Sequence, residues 1–156
     1  MNKKNDEQVK QLAETFERFA KADWRNKKLW GLNASEIRVL LCINDLSGQG
    51  SHGAHVSDIS KKLHVTSPTV TQMIKSLAAG GYIERTTDPS DRRIADIRLT
   101  EKGEAVARKA GERFAAIFSG LIAFLGEERS DTLIGLLTQV HAYFDANVKL
   151  PESENN

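Results

Sequence analysis

The chain of 156 residues carries 22 basic and 21 acidic side chains, a formal net charge of +1, so it is no generic polycation. With 40% hydrophobic and 28% charged residues it reads as one folded domain spanning residues 1–156, and no apolar run approaches the length that crosses a bilayer. A single cysteine rules out an intramolecular disulfide framework, and the charged start MNKKNDEQVKQLAETF lacks the apolar centre of a signal peptide, so the expected location is cytoplasmic.

Val9, Leu12, Phe16, Phe19 and Trp24 recur at helical spacings, which predicts a helix over roughly residues 5 to 27. Asn33 is placed to cap a second helix from Ala34, with Glu36 at its third position as in a capping box. Ile37, Leu40, Leu41 and Leu46 make its buried face, and residues 47–55, SGQGSHGAH, read as a Gly/Ser/His loop. Val56 opens a short helix, VSDISKKL, and His64, Val65 and Thr66 supply a turn. Ser67 is the expected cap of the next helix, with Pro68 at its first position, where a missing N–H costs nothing. Along it Val70, Ile74 and Leu77 fall at i, i+4 and i+7 and must face a core, leaving Thr69, Gln72, Lys75 and Ser76 outward. Gly80 and Gly81 end this helix by permitting positive φ.

Residues 82–86 read as a strand, Asp88-Pro89-Ser90-Asp91 as a turn, and Ala95, Ile97 and Leu99 as the buried face of a return strand. Thr100 caps a long helix from Glu101 to about Leu125, with Val106, Ala110, Phe114, Ile117 and Leu121 on one stripe. After GEERSD a last helix carries Leu133, Leu136, Leu137, Val140, Phe144 and Val148, and the tail, residues 149–156, is expected to be disordered. The fold class is therefore mainly α with a small β-hairpin. The terminal helices, residues 5–32 and 104–148, hold more apolar side chains than a small core covers. Either a second copy of the chain covers them across a two-fold axis, or they fold back on their own core.

Helix, turn, helix and hairpin in this order suit duplex DNA. Short and amide side chains near a helix N-terminus fit against base edges in a major groove, and Ser67, Thr69, Thr71, Gln72 and Lys75 are of that kind. The hairpin tip carries Asp91, Arg92 and Arg93: Arg93 suits a narrow minor groove, Arg92 a phosphate, and Asp91 can hold the tip in shape. Charge follows the same division. Residues 59–83 contain Lys61, Lys62 and Lys75 and no acid, whereas residues 126–156 hold six carboxylates against two cations.

The run GGYIERTTDPSDRRIADIRLTEKG, preceded by VSDISKKLHVTSPTVTQMIKSL, resembles the winged helix-turn-helix of the MarR (multiple-antibiotic-resistance regulator) transcription factors, and the flanking helical segments match that family's arrangement. The resemblance implies a winged DNA-binding lobe at residues 33–103 between dimerisation helices, and a homodimer on a pseudo-palindromic duplex operator. It further implies a repressor released by a small ligand or an oxidant. The family's wing pattern D-x-R-D-x-R becomes Asp88-Pro89-Ser90-Asp91-Arg92-Arg93, so Ser90 stands where the first arginine would be, and the 47–55 loop is longer than usual. Family effector crevices lie between the dimerising helices and the DNA-binding lobe, where either Phe16, Trp24, Arg25 and Trp30 supply aromatic walls and a cation for an acidic ligand, or Trp24 and Trp30 are plain dimer core.

Other signals do not build a site. Gly48, Gly50 and Gly53 match a dinucleotide fingerprint in spacing but follow a helix instead of a strand. His52, His55 and Cys42 make a poor metal cage, and no cofactor is implied. His64 and His141 read as turn and surface or interface residues, and no nucleophile, histidine and carboxylate form a catalytic arrangement. Two competing readings remain: a winged-helix adaptor whose wing binds protein, and a redox switch at Cys42.

Overall fold

The computed structural model describes residues 3–22, 28–48, 53–87 and 95–147. In chain order these form α1 (Lys3–Ala20), α2 (Ala34–Ser47), α3 (Val56–Leu63), α4 (Ser67–Ala79), β1 (Ile83–Thr87), β2 (Ala95–Leu99), α5 (Glu101–Leu125) and α6 (Glu127–Asn147). The chain is thus mostly helical with one two-stranded antiparallel sheet. It divides into two compact units, residues 1–111 and 112–156, and α5 begins in the first and ends in the second.

In the first unit, Leu40, Ile43, Ile59, Ile74, Leu77 and Ile97 are all fully buried, each contributing about 1.5–3 kcal/mol of apolar burial. The expected face of α2 proves too narrow. Val39 and Ile43 are also buried, because α2 is packed by α3, α4 and β2 on several sides at once, while Leu41 and Leu46 are only half-buried. The capping box forms as the residues foretell: Asn33 Oδ1 accepts from the Glu36 N–H at 2.9 Å, and Glu36 Oε2 accepts from the Asn33 N–H at 3.0 Å.

Several boundaries differ from the sequence reading. The first helix ends at Ala20, short of residue 27: its last α-type bond is Lys21 N–H to Glu17 O, followed by a tighter bond from Ala22 to Phe19. Thr66, extended at φ −69° and ψ 149°, is the N-cap of α4 in place of Ser67, because its carbonyl already accepts the Val70 N–H at 3.1 Å. Pro68 thereby moves one place inward, still in the first turn where no donor is needed. The last helix starts at Glu127, so EERSD lies within α6, and Gly126 alone makes the break at φ +83°.

At the end of α4 the two glycines divide the work. Gly81 takes the positive φ of +74°, while Gly80 stays right-handed and leaves room for the Tyr82 ring, which a Cβ there would meet at 2.7 Å. Strand β1 starts at Ile83, and its pairs run from Ile83↔Leu99 to Thr87↔Ala95. Thr100 caps α5 as expected, its Oγ1 accepting the Gly103 N–H at 3.1 Å. Gly103 has little room of its own, since a Cβ would fall 2.0 Å from the Tyr82 carbonyl oxygen.

The stretch read as a loop is anchored at its end. Ala54 exchanges two 2.9 Å backbone hydrogen bonds with Ile97, and a Cβ on Gly53 would meet the Asp96 carboxylate at 2.4 Å. Residues 30 and 31 make another tight turn. Leu29 and Leu32 bridge across it, and both central residues, Trp30 at +54° and Gly31 at +81°, have positive φ, the signature of a type I′ turn.

Exposure on the long helices revises the stripe argument. No residue of α1 is buried, and Val9, Leu12 and Phe19 are each at least 60% exposed. On α5 the buried residues stop at Ala110, and the stripe continues outward through Phe114, Ile117 and Leu121. Within α6 only Ser130 is buried, its hydroxyl donating to Gly126 O at 2.7 Å. Leu136, Leu137 and Phe144 are exposed, and Leu133 and Val140 are half-buried. Val148 and the tail lie outside the described residues.

Candidate nucleic-acid interface

The site is built on α4. Its apolar face is anchored by Val70, Ile74 and Leu77, all at 0% exposure, which fixes how the helix is rotated on its lobe. Helical geometry then obliges the remaining positions to project outward, and Ser67, Thr69, Gln72, Lys75 and Ser76 are all exposed. Thr71 is half-buried, and its hydroxyl donates to Ser67 O at 2.9 Å, an arrangement that leaves its oxygen lone pairs for a ligand. Near the N-terminus, the Thr69 and Thr66 hydroxyls pair at 2.8 Å, presenting two oxygens beside the first turn.

The preceding helix fixes the angle of approach. α3 ends at Leu63; His64 behind it takes the left-handed conformation at φ 54°, and Val65 N–H bonds to Ser60 O at 3.2 Å. The Ser60 hydroxyl returns a 2.6 Å bond to Val65 O, closing the turn between α3 and α4 from both directions. An ion pair of 3.1 Å, Lys62 to Asp45, joins α3 to α2 across a largely exposed surface.

The hairpin springs directly from the end of α4. Arg85 lies exposed opposite Ile97, and Arg98 pairs with Asp96 at 3.1 Å, so these strands carry cations at the base of the turn. Asp91, Arg92 and Arg93 lie outside the described residues. Of the eight residues singled out for DNA, the described structure thus brings together five, Ser67, Thr69, Thr71, Gln72 and Lys75, on one helix.

One partner on this face was missed by local reasoning. An open groove runs between the N-terminus of α2 and α4, lined by Asn33, Ser35, Glu36, Thr69, Gln72 and Ser76 among others. Across it the Ser76 hydroxyl donates to Glu36 Oε1 at 2.7 Å. Glu36 gave a signal only as a cap; nothing in the local sequence relates it to a residue 40 positions away.

The remaining candidates fall elsewhere. Phe16 and Trp30 are 43% and 39% exposed, and the Trp30 carbonyl accepts from the Tyr82 hydroxyl at 3.4 Å; Trp24, Arg25 and His52 lie outside the described residues. Cys42 is buried, and burial pushes its thiol pKa up, opposed by Lys62 and reinforced by Asp45 and Asp58. Among the described residues no three His, Cys, Asp or Glu side chains form a metal-binding group, and no helix is long and apolar enough to cross a membrane.

A reading helix seated on a helix-turn-helix, followed at once by an antiparallel hairpin, defines a winged helix-turn-helix, the fold of a large class of DNA-binding regulators. Residues 32–95 match the MarR family. An uncharacterized HTH-type transcriptional regulator of Bacillus subtilis, YkoM, is 30% identical over 144 residues, covering 85% of this chain and 88% of that protein. Among solved structures, Streptococcus pneumoniae FabT in complex with DNA superposes with a TM-score of 0.66 at 23% identity, covering 92% of this chain and 96% of that one. Bordetella bronchiseptica BpsR, whose DNA binding is regulated by 6-hydroxynicotinic acid, gives a TM-score of 0.66 at 23% identity, covering 86% of this chain and 98% of that one. At these identities the two structures establish the fold. The chain belongs to the MarR family and is a DNA-binding transcriptional regulator, not an enzyme.

Proposed function

We propose that the chain acts as a homodimeric repressor of transcription that binds a pseudo-palindromic duplex operator and is released by a small acidic ligand. The observation that carries the reading is the division of α4: one face at 0% exposure, the other polar and uncovered, free of acids along its whole length. Each subunit places Ser67, Thr69, Gln72 and Lys75 in a major groove, with Thr71 as an acceptor. Arg93 enters the adjoining minor groove, Arg92 meets phosphate, and Asp91 shapes the tip. Two subunits then span half-sites about 10 base pairs apart, centre to centre.

The dimer is supported by the uncovered apolar side chains of α1 and of residues 112–147, which in water call for a second copy of the chain. On this reading residues 5–32 and 104–148 dimerise and residues 33–103 read DNA. FabT was solved on DNA, and BpsR answers to 6-hydroxynicotinic acid, which support a duplex partner and a small aromatic acid as effector. Phe16, Trp24, Arg25 and Trp30 are the residues proposed to meet it. Such a regulator works beside the chromosome, in the cytoplasm.

A gel-shift titration with the DNA upstream of its own gene tests the reading. Binding is expected to weaken steeply with salt, the logarithm of the affinity falling by about 0.9 per neutralised phosphate against the logarithm of salt. Absence of any complex at low salt would favour a winged-helix adaptor that contacts protein instead.

A further inference from the structure

Every polar side chain on the exposed face of α4 is neutral or basic, yet the groove beside it holds an acid. Among the residues lining that groove Glu36 alone carries a charge. Its carboxylate is held from two sides: the Asn33 N–H reaches Oε2 at 3.0 Å, and the Ser76 hydroxyl reaches Oε1 at 2.7 Å. A charge-assisted O–H···O⁻ bond of that length restrains both partners. The carboxylate is therefore fixed beside Gln72 and Ser76, two of the outward residues of the reading helix, and is only partly buried.

We propose that Glu36 is a specificity-determining residue: a fixed negative charge at the edge of the reading helix that admits amino-bearing base edges and rejects the rest. The inference rests on the DNA-binding reading of α4. The groove that receives a helix in duplex DNA offers a carboxylate two kinds of surroundings. The amino group of cytosine, and that of adenine, donate hydrogen bonds to it; guanine O6 and N7, thymine O4 and phosphate present only negative oxygen or nitrogen. A mobile carboxylate would swing away from a wrong base into solvent. One clamped by Asn33 and Ser76 cannot, so a wrong duplex meets a desolvated like charge, which costs affinity, whereas the right one meets a preformed acceptor. The arrangement also separates the two jobs of the residue: Oε2 caps α2, and Oε1 joins α4.

The substitution Glu36→Gln isolates the charge, since glutamine's single amide oxygen can still accept the Asn33 N–H and close the capping box while its amide N–H donates to the Ser76 hydroxyl oxygen. The full-length protein and this variant are titrated against two duplexes, the one the wild type enriches from a randomised pool and one of scrambled sequence. For Glu36→Gln we expect an unchanged thermal midpoint, tighter binding to the scrambled duplex, and a ratio of enriched to scrambled affinity lower by on the order of ten-fold. Ser76→Ala, which keeps the charge but unclamps it, is expected to tighten scrambled binding and lower the ratio, each by less than Glu36→Gln does. A wild type that discriminates between the duplexes and a Glu36→Gln variant that discriminates equally well would overturn the role of Glu36 and leave the DNA-binding reading standing. A wild type that binds neither duplex would overturn both.

Discussion

The described residues of 29–110 and residues 112–147 are both rich in apolar side chains, yet they treat water differently. In the first stretch Leu40, Ile43, Ile59, Ile74, Leu77 and Ile97 vanish from the surface, and the polar face of α4 is what remains outside. In the second, Phe118, Phe124, Leu136, Leu137 and Tyr143 stay more than half exposed, with Phe124 at 84%. The same hydrophobic chemistry produces a finished core in one region and an unfinished one in the other. A finished core can hold a reading helix at a fixed angle; an unfinished one is, on the proposed reading, completed by a second copy of the chain.

The sharpest way to break this contrast is to make the unfinished region polar. The pair Phe118→Glu and Leu137→Glu is expected to leave a monomer by light scattering and to weaken operator binding on the order of 100-fold, since a lone subunit loses the gain from a tethered second contact. The finished region should instead fail by crowding. Gly103→Ala places a methyl group against the Tyr82 carbonyl, and chemical denaturation is expected to register a loss of about 1–3 kcal/mol or more.

At the hairpin tip, Arg93→Ala is expected to cost about 1–3 kcal/mol of operator binding with the dimer and its melting temperature intact. Full affinity in that variant would remove the minor-groove role. The smallest effect concerns Cys42. Its thiol is buried and its pKa raised by burial, so the thiolate that oxidants and alkylating reagents need is scarce in the folded state. Iodoacetamide is expected to label Cys42 at neutral pH only on unfolding, and Cys42→Ser to leave DNA binding under peroxide unchanged. Because folding raises this pKa, the stability tied to the protonated thiol is complete below the unfolded value and is lost as pH rises through the folded one.

Much of the finished region can be read from residue order, because its signals are local. The Asn33–Glu36 capping box, the i, i+4, i+7 spacing of Val70, Ile74 and Leu77, the inward Ile97 of β2 and the Thr100 cap all depend on residues a few places apart. What escaped depends on distance or on one competing carbonyl. Thr66 displaces Ser67 as cap because its oxygen reaches Val70 first. Gly126 lets α6 begin directly after it, which a run of charges had disguised as loop. The pinning of Ala54 on Ile97 and the clamp of Glu36 by Ser76 join segments tens of residues apart, and no local pattern encodes either. The left-handed Trp30 is a local feature, but its one signal is the glycine that follows it.

On the proposed function the outward face of α4 reads duplex DNA once from each of two subunits. Selection from a pool of randomised duplexes, run in parallel with the wild type and with Gln72→Ala, tests it most directly. The wild type is expected to select a symmetric site with half-sites about 10 base pairs apart, and Gln72→Ala to lose its base preference at one symmetry-related pair of positions while keeping the rest. An unsymmetric site, or a preference at every position left unchanged by Gln72→Ala, would contradict it.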